Sequence, residues 1–199
     1  MSENDLQTKL QQFDEFFSIE HNFNINLRTI ADQEITSHDS FLASMPLPFK
    51  MASDIVTLDQ AALRPIQSLS GVASQLTDFL NHQAHKIDLL VGYILSQQDE
   101  ETMRYQGNRF GGGGVVFSSD KTFTIGQRLE MKIFLLEENC AVFCIGELVE
   151  CQDVDTGFNY KVVFEHIREE DQETLVRHSL HQQSRQLQAL AQKRRDERE

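Results

Sequence analysis

The residues best suited to hold a ligand lie in one stretch, RFGGGGVVF, from Arg109 to Phe117. Four consecutive glycines, Gly111 to Gly114, let a backbone turn tightly or let another group approach it closely. Such a run is the raw material of a phosphate-cradling loop, but the residues after it argue otherwise. A Walker loop needs Gly-Lys-Ser/Thr opening a helix, and a dinucleotide fingerprint also runs into a helix. Here Val115, Val116 and Phe117 follow, and β-branched and aromatic residues favour a strand. The stretch therefore reads as a glycine turn or bulge entering a barrel strand.

Other chemistry-bearing types are sparse. Cys140, Cys144 and Cys151 do not match a zinc-ribbon spacing, and no histidine lies between them. They are expected to be reduced, buried thiols of a cytoplasmic protein. His82 and His85 are three apart on a helical pattern, but without a nearby carboxylate they read as surface polar residues. His21 sits on the apolar side of an alternating segment and reads as a core or rim histidine. No serine, histidine and acid arrangement is suggested, and the acidic residues are scattered or open a helix. The expectation is a protein that is not an enzyme and holds no metal or cofactor.

The chain has 199 residues, a formal net charge of −13 and a sequence pI near 4.9. An acidic surface repels phosphate backbones and anionic lipid, which argues against nucleic-acid binding. The MSENDLQTKL start lacks a basic flank and an apolar run, so no signal peptide is expected. No apolar run approaches a membrane span, so no membrane insertion is expected. The basic cluster Lys193, Arg194, Arg195 and Arg198 is diluted by Asp196, Glu197 and Glu199 and reads as a solvated helix end.

These residues need a scaffold, and the periodicity supplies one. Residues 1–16 carry Leu6, Leu10, Phe13 and Phe16 at helical spacing, a short helix or arm. Phe17, Ile19, His21, Phe23, Ile25 and Leu27 then alternate with polar residues, as a half-buried strand does. Residues 28–52 are polar and irregular and read as a linker with a few apolar anchors. Thr57 and Gln60 resemble a capping box, and Pro65 should kink or restart a helix. From there Ile66, Leu69, Ala73, Leu76, Leu80, Gln83, Ile87, Leu90 and Ile94 recur three and four apart, a heptad seam. Val72, Phe79, Leu89, Val91, Tyr93 and Leu95 add a second stripe towards the C-terminal end, so the 66–97 helix is apolar on more than one side; one side is expected to cover its own domain and the other to meet a second copy.

After the glycine stretch the chain is β throughout. Leu129, Met131, Ile133 and Leu135 alternate, Cys140 to Cys151 is apolar on both sides, and Phe158, Tyr160, Val162 and Phe164 alternate again. Turns are expected at Glu137 to Asn139 and at Asp153 to Gly157. Short strands joined by tight turns predict an antiparallel meander closing into a small barrel. Glu169, Glu170, Asp171 and Glu173 open a final helix, and its stripe of Leu175, Val176, Leu180, Leu187 and Leu190 would cover the barrel.

Together, the glycine turn, the meander and FEHIREEDQETLVRHSLHQQSRQLQ resemble a PilZ domain, a bacterial module of cyclic di-GMP signalling, over residues 103–190. RFGGGGVVF is similar without a gap to the family's strand entry, and Phe164, Ile167 and Glu169 to Asp171 fit its last strand and acidic helix start. HKIDLLVGYILSQQDE is similar in character to the atypical, oligomeric branch, in which heptad helices form a bundle between subunits. The resemblance implies an α+β fold: a small antiparallel barrel, a long heptad helix inserted before most of it, and a C-terminal helix. The implied divisions are an N-terminal helix or arm with the first strand (1–50), a helical insertion (51–100) and the barrel with its helix (101–199).

The family's ligand site uses R-x-x-x-R before the first strand and D-x-S-x-x-G at the glycine turn. Guanidinium forks grip phosphates and guanine edges there. In this chain Lys9 is the only basic residue before the first strand, Arg109 stands at the aspartate and Gly111 at the serine, and Gly114 alone is kept. The resemblance therefore implies a degenerate motif and weak or absent cyclic di-GMP binding, with action through self-association and an unidentified protein partner. Two alternatives stand beside it. One is a receptor with a non-standard site built from Arg104, Arg109, Gly111 and Gly114; the other is a purely structural oligomeric scaffold. A flavin-binding split barrel is a remote third reading.

Overall fold

The computed structural model describes residues 3–52, 55, 72–136, 139–154 and 157–196. Six antiparallel strands close into a barrel: β1 (Ser18–Ile30), β2 (Arg104–Gly111), β3 (Gly114–Ser119), β4 (Arg128–Leu135), β5 (Cys140–Val154) and β6 (Gly157–His166). Their order around the barrel is β1-β2-β3-β6-β5-β4. Closure pairs β1 with β2 on one side and with β4 on the other, so the first strand joins the meander across the whole helical insertion.

The alternation read in the sequence is the alternation of inside and outside. Phe23, Ile25, Phe110, Phe117, Met131, Ile133, Tyr160 and Val162 fill the barrel. Each fully buried apolar side chain contributes roughly 1.5–3 kcal/mol. Tyr160 is tied at its hydroxyl, which accepts from Phe123 N at 3.1 Å. Burial first, then Cys151 and Asp153, raises its pKa above the usual 10.0 against the opposing hydrogen bond from Phe123. The strand expected at residues 17–27 is present and runs on to Ile30.

Among the described residues, the helices α1 (Glu3–Glu15), α2 (His38–Ser44) and α3 (Val72–Ser96) flank the barrel. A fourth, α4 (Glu169–Asp196), follows the last strand. The expectation of a linker over 28–52 is corrected here. The segment holds the end of β1, the helix α2, and a further helical stretch at 47–52. Ser37 and Ser40 cap α2 reciprocally, an arrangement with serine where glutamate or glutamine is usual. Ile35, Phe41, Met45 and Phe49 have no regular period, yet they converge on Phe134, Phe143, Ile145 and Leu95 in a second core outside β4 and β5. This second core is why Cys140 to Cys151 is apolar on both sides.

The cysteines also depart from expectation. Cys144 is buried, and burial pushes its thiol up; Cys140 is half-buried and Cys151 is exposed. β5 outruns the barrel, and from Cys151 to Val154 its side chains face solvent while the strand pairs with β6. The capping box at Thr57 and Gln60, the kink at Pro65 and the seam residues Ile66 and Leu69 lie outside the described residues. So do Glu137, Glu138, Asp155 and Thr156 of the two expected turns. Their described neighbours Asn139 and Gly157 have φ of 49° and 135°, as turn residues do. No helix among the described residues is long and apolar enough to cross a membrane.

Candidate functional site

The outer face of the barrel carries a polar cleft of about 730 Å³ across β1, β2, β3, β6 and β5. Asn108 and Asn159 line it and are joined to Ser118 in a neutral row. Asn108 Nδ2 donates to Ser118 Oγ at 2.9 Å and to Asn159 Oδ1 at 3.1 Å, and Ser118 Oγ donates to Asn159 Oδ1 at 2.7 Å. An ion pair stands at either side: Arg109 Nη2 to Glu20 Oε1 at 2.8 Å, and Lys161 Nζ to Glu150 Oε2 at 2.7 Å. Lys161 also lies 5.1 Å from the centre of the Phe13 ring. His21 lines the cleft and meets Phe110 edge-on at 6.1 Å, a rim position as its pattern indicated. The cleft offers charges of both signs with their partners in place, together with amides. That inventory suits recognition and not bond making.

The glycine turn lies close by but is closed. Gly111 to Gly114 join β2 to β3 and all four are buried. None has a positive φ; their lack of a side chain serves close packing. A Cβ at Gly114 would lie 2.0 Å from Val162 O and 2.9 Å from Phe13. At Gly111 it would lie 2.3 Å from Phe17 O, and at Gly112 2.6 Å from both Phe16 and Val176. The carbonyl of Gly113 accepts from Phe164 N at 3.1 Å, and that of Gly112 accepts from Gln172 Nε2 at 2.8 Å. Thus Phe13 of α1, Phe16 just after it and Val176 of α4 pack against this turn.

Arg104 and Arg109, the two candidate guanidinium groups, are not brought together. They stand near opposite ends of β2, about 16 Å apart along the strand, and Arg104 borders a separate groove. The Arg104 Nε donates to Asp99 Oδ1 at 2.9 Å, and this bond raises the guanidinium pKa further. Asp99 is the centre of a cradle that sequence reasoning missed. Asn24 Nδ2 and Asn26 Nδ2 each donate to its carboxylate at 2.8 Å, and Glu100 N donates to Asn26 Oδ1 at 2.7 Å. The signal was present: Asn22, Asn24 and Asn26 are the polar positions of β1, and Asn26 is nonetheless buried. Asn108, Asn159 and Lys161 carried no comparable signal, because only barrel closure places β2, β3 and β6 side by side.

The seam residues form the other candidate surface. Leu76, Ile87, Leu90 and Ile94 are exposed on α3, Leu80 and Gln83 are half-buried, and the side chain of Ala73 is outside what is described. Phe79, Leu89 and Tyr93 are exposed as well, Tyr93 at 65%. Leu95 and Val91 turn the other way, into the core outside β4 and β5. His82 Nδ1 is engaged with Asp78 O at 2.6 Å, one turn back on the same helix. Among the described residues no group of three His, Cys, Asp or Glu side chains is placed to hold a metal.

Comparison with known proteins places this architecture. The structure resembles that of a Xanthomonas campestris protein described as a tetrameric PilZ domain self-assembled via a helical bundle. The TM-score is 0.54 at 15% identity, over 89% of this chain and 96% of that one. It also matches the Bacillus subtilis inhibitor of motility MotI/DgrA, with a TM-score of 0.39 at 17% identity, over 41% of this chain and 42% of that one. No curated protein sequence matches. A family profile described as the PilZ domain matches residues 81–181, from the middle of α3 through the barrel into α4, and the chain belongs to the PilZ domain family.

Proposed function

We propose that this chain is a non-catalytic PilZ module of bacterial cyclic di-GMP signalling that has a degenerate ligand motif and acts through self-association and protein contacts. The observation that carries the reading is the burial of Gly111 to Gly114, with Phe16 and Val176 against Gly112 and Val162 and Phe13 against Gly114. Packing of this kind supports a turn that does not receive a nucleotide against its backbone. The exposed apolar face of α3 supports the second half of the reading. A helix this apolar is stabilised by burial against other helices. The partner we assign is a second copy of this chain, joined along Leu76, Leu80, Gln83, Ile87, Leu90 and Ile94. The bundle named for the Xanthomonas campestris relative supports that choice.

A receptor reading draws on the cleft beside Arg109, which is large enough for a nucleotide. Such a site would use Arg109 without Arg104. Calorimetric titration of cyclic di-GMP, paired with light scattering of the eluted protein, separates the readings. The proposal expects no heat at high ligand and an oligomer at micromolar protein. Micromolar binding lost in Arg109→Ala would establish the receptor instead, and a monomer would remove the self-association.

A further inference from the structure

A second opening lies at the far end of the β2–β3 hairpin, away from the glycine turn. It is a groove of about 310 Å³ bordered by Arg104, Tyr105, Ser119, Asp120 and Lys121 among others. Gln106 pairs with Ser118, so the same register sets Arg104 opposite residue 120, with Lys121 beside it. Two cations therefore converge on one small concavity of a chain whose formal net charge is −13.

The neighbours are committed elsewhere, and this leaves the two cations as its working groups. Ser118 Oγ donates to Asn159, Ser119 Oγ accepts from Lys121 N at 2.9 Å, and Gln106 Nε2 donates to Phe23 O at 3.0 Å. Tyr105 packs edge-on against Phe117 and Phe123, and Lys121 Nζ stands 5.6 Å from its ring centre. A tyrosine held this way fixes where the ammonium sits.

Arg104 is held just as firmly. Asp99, 5% exposed and anchored by Asn24 and Asn26, grips Nε, while the Arg104 side chain keeps 35% exposure. A guanidinium has five N–H donors in a planar fork. Nε is engaged by Asp99, and Arg104 borders the groove. An arginine oriented by a buried carboxylate, with a lysine alongside, is chemistry for a small tetrahedral oxyanion. We propose that this groove is a binding site for a small phosphate-class anion, with Arg104 and Lys121 as its ligating residues and Asp99 as the positioning residue. The site is separate from the cleft beside Arg109 and does not depend on how that cleft or α3 is used.

The test is calorimetric titration of inorganic pyrophosphate into the full chain at low salt. Binding should be saturable, and Lys121→Ala should weaken it about tenfold, the scale of one charge-assisted contact. Arg104→Lys, which keeps the charge and removes the fork, should weaken it by a similar factor. Asp120→Asn should tighten it, because a like-charged carboxylate at the rim is removed; a merely structural role for these residues would not produce a gain. Lys121 and Asp120 are exposed, so both variants test the site even where an Arg104 variant fails to fold. Absence of binding by the wild-type chain, or binding indifferent to Lys121→Ala and Asp120→Asn, would overturn the assignment. Cyclic di-GMP titration and oligomer mass are separate readouts, so failure of the proposed function leaves this result interpretable.

Discussion

Asp99 and Arg104 lie five residues apart, and their side chains meet at 2.9 Å, closing the joint between the end of α3 and the start of β2. The joint has four other members. Asn24 and Asn26 reach it from β1, and Lys132 Nζ holds Glu100 Oε1 at 2.8 Å from β4. The chain just after the long helix is thus tied to three strands by polar contacts, beside the apolar contacts that Val91 and Leu95 make outside β4 and β5.

Removing the centre of that joint should be costly. Asp99→Ala leaves the Asn24 amide and the Arg104 Nε without their carboxylate acceptor and Asn26 Nδ2 with the Glu100 carbonyl alone. Unpaired polar groups of this kind cost about 1–3 kcal/mol in total stability. Urea unfolding measures the loss. A spin-label distance between α3 and β4 should broaden in the variant while the barrel stays folded.

The glycine turn gives a graded prediction. Gly114→Ala drives a methyl into Val162 O, a backbone atom that cannot move aside, and should destabilise by about 3 kcal/mol or more. Gly112→Ala meets the side chains of Phe16 and Val176, which have room to rotate, and should cost less. Thermal melts of the two variants should fall in that order. Equal effects would mean that α1 and α4 pack on the turn as rigidly as the sheet does.

Self-association along α3 is tested by charge. Leu90 is 64% exposed, so Leu90→Asp leaves the fold of one chain intact and should yield monomers by light scattering. Gln83→Leu should tighten the assembly, because a polar residue in a heptad seam costs stability. An unchanged mass in Leu90→Asp would remove α3 from the interface.

Acid sensitivity should trace in part to His166. Its ring stacks on Phe41 at 5.9 Å, and burial, followed by the charges of Arg128 and His38, lowers its pKa below the usual 6.5 against the pull of Glu165. On acidification the unfolded chain takes up the proton first, near pH 6.5, while the folded chain resists. This contribution is complete above pH 6.5 and is lost as pH falls from there through the folded pKa. His166→Phe should flatten the stability profile in that window, measured by urea unfolding at several pH values.

Much of the barrel was legible in the residues. A period of two marks any strand with one face in a core, so Phe23, Ile25, Met131, Ile133, Tyr160 and Val162 announced their positions. The amphipathic pattern of α3 announced the long helix in the same way. α2 was not legible: Phe41, Met45 and Phe49 follow no single period, and their burial depends on Phe134 and Phe143 from distant strands. The exposure of Cys151 was equally hidden, because it depends on how far β5 outruns its neighbours.

The sequence by itself determined the strands and the long helix, because each is a property of residue type and local spacing. Tertiary structure alone decided that Gly111 to Gly114 are buried, that Arg104 and Arg109 border different openings, and that Asp99 roots α3. These depend on distances between residues up to about a hundred positions apart. A barrel closes by pairing its first strand with partners far along the chain, and no local pattern records which side chains that closure brings into reach.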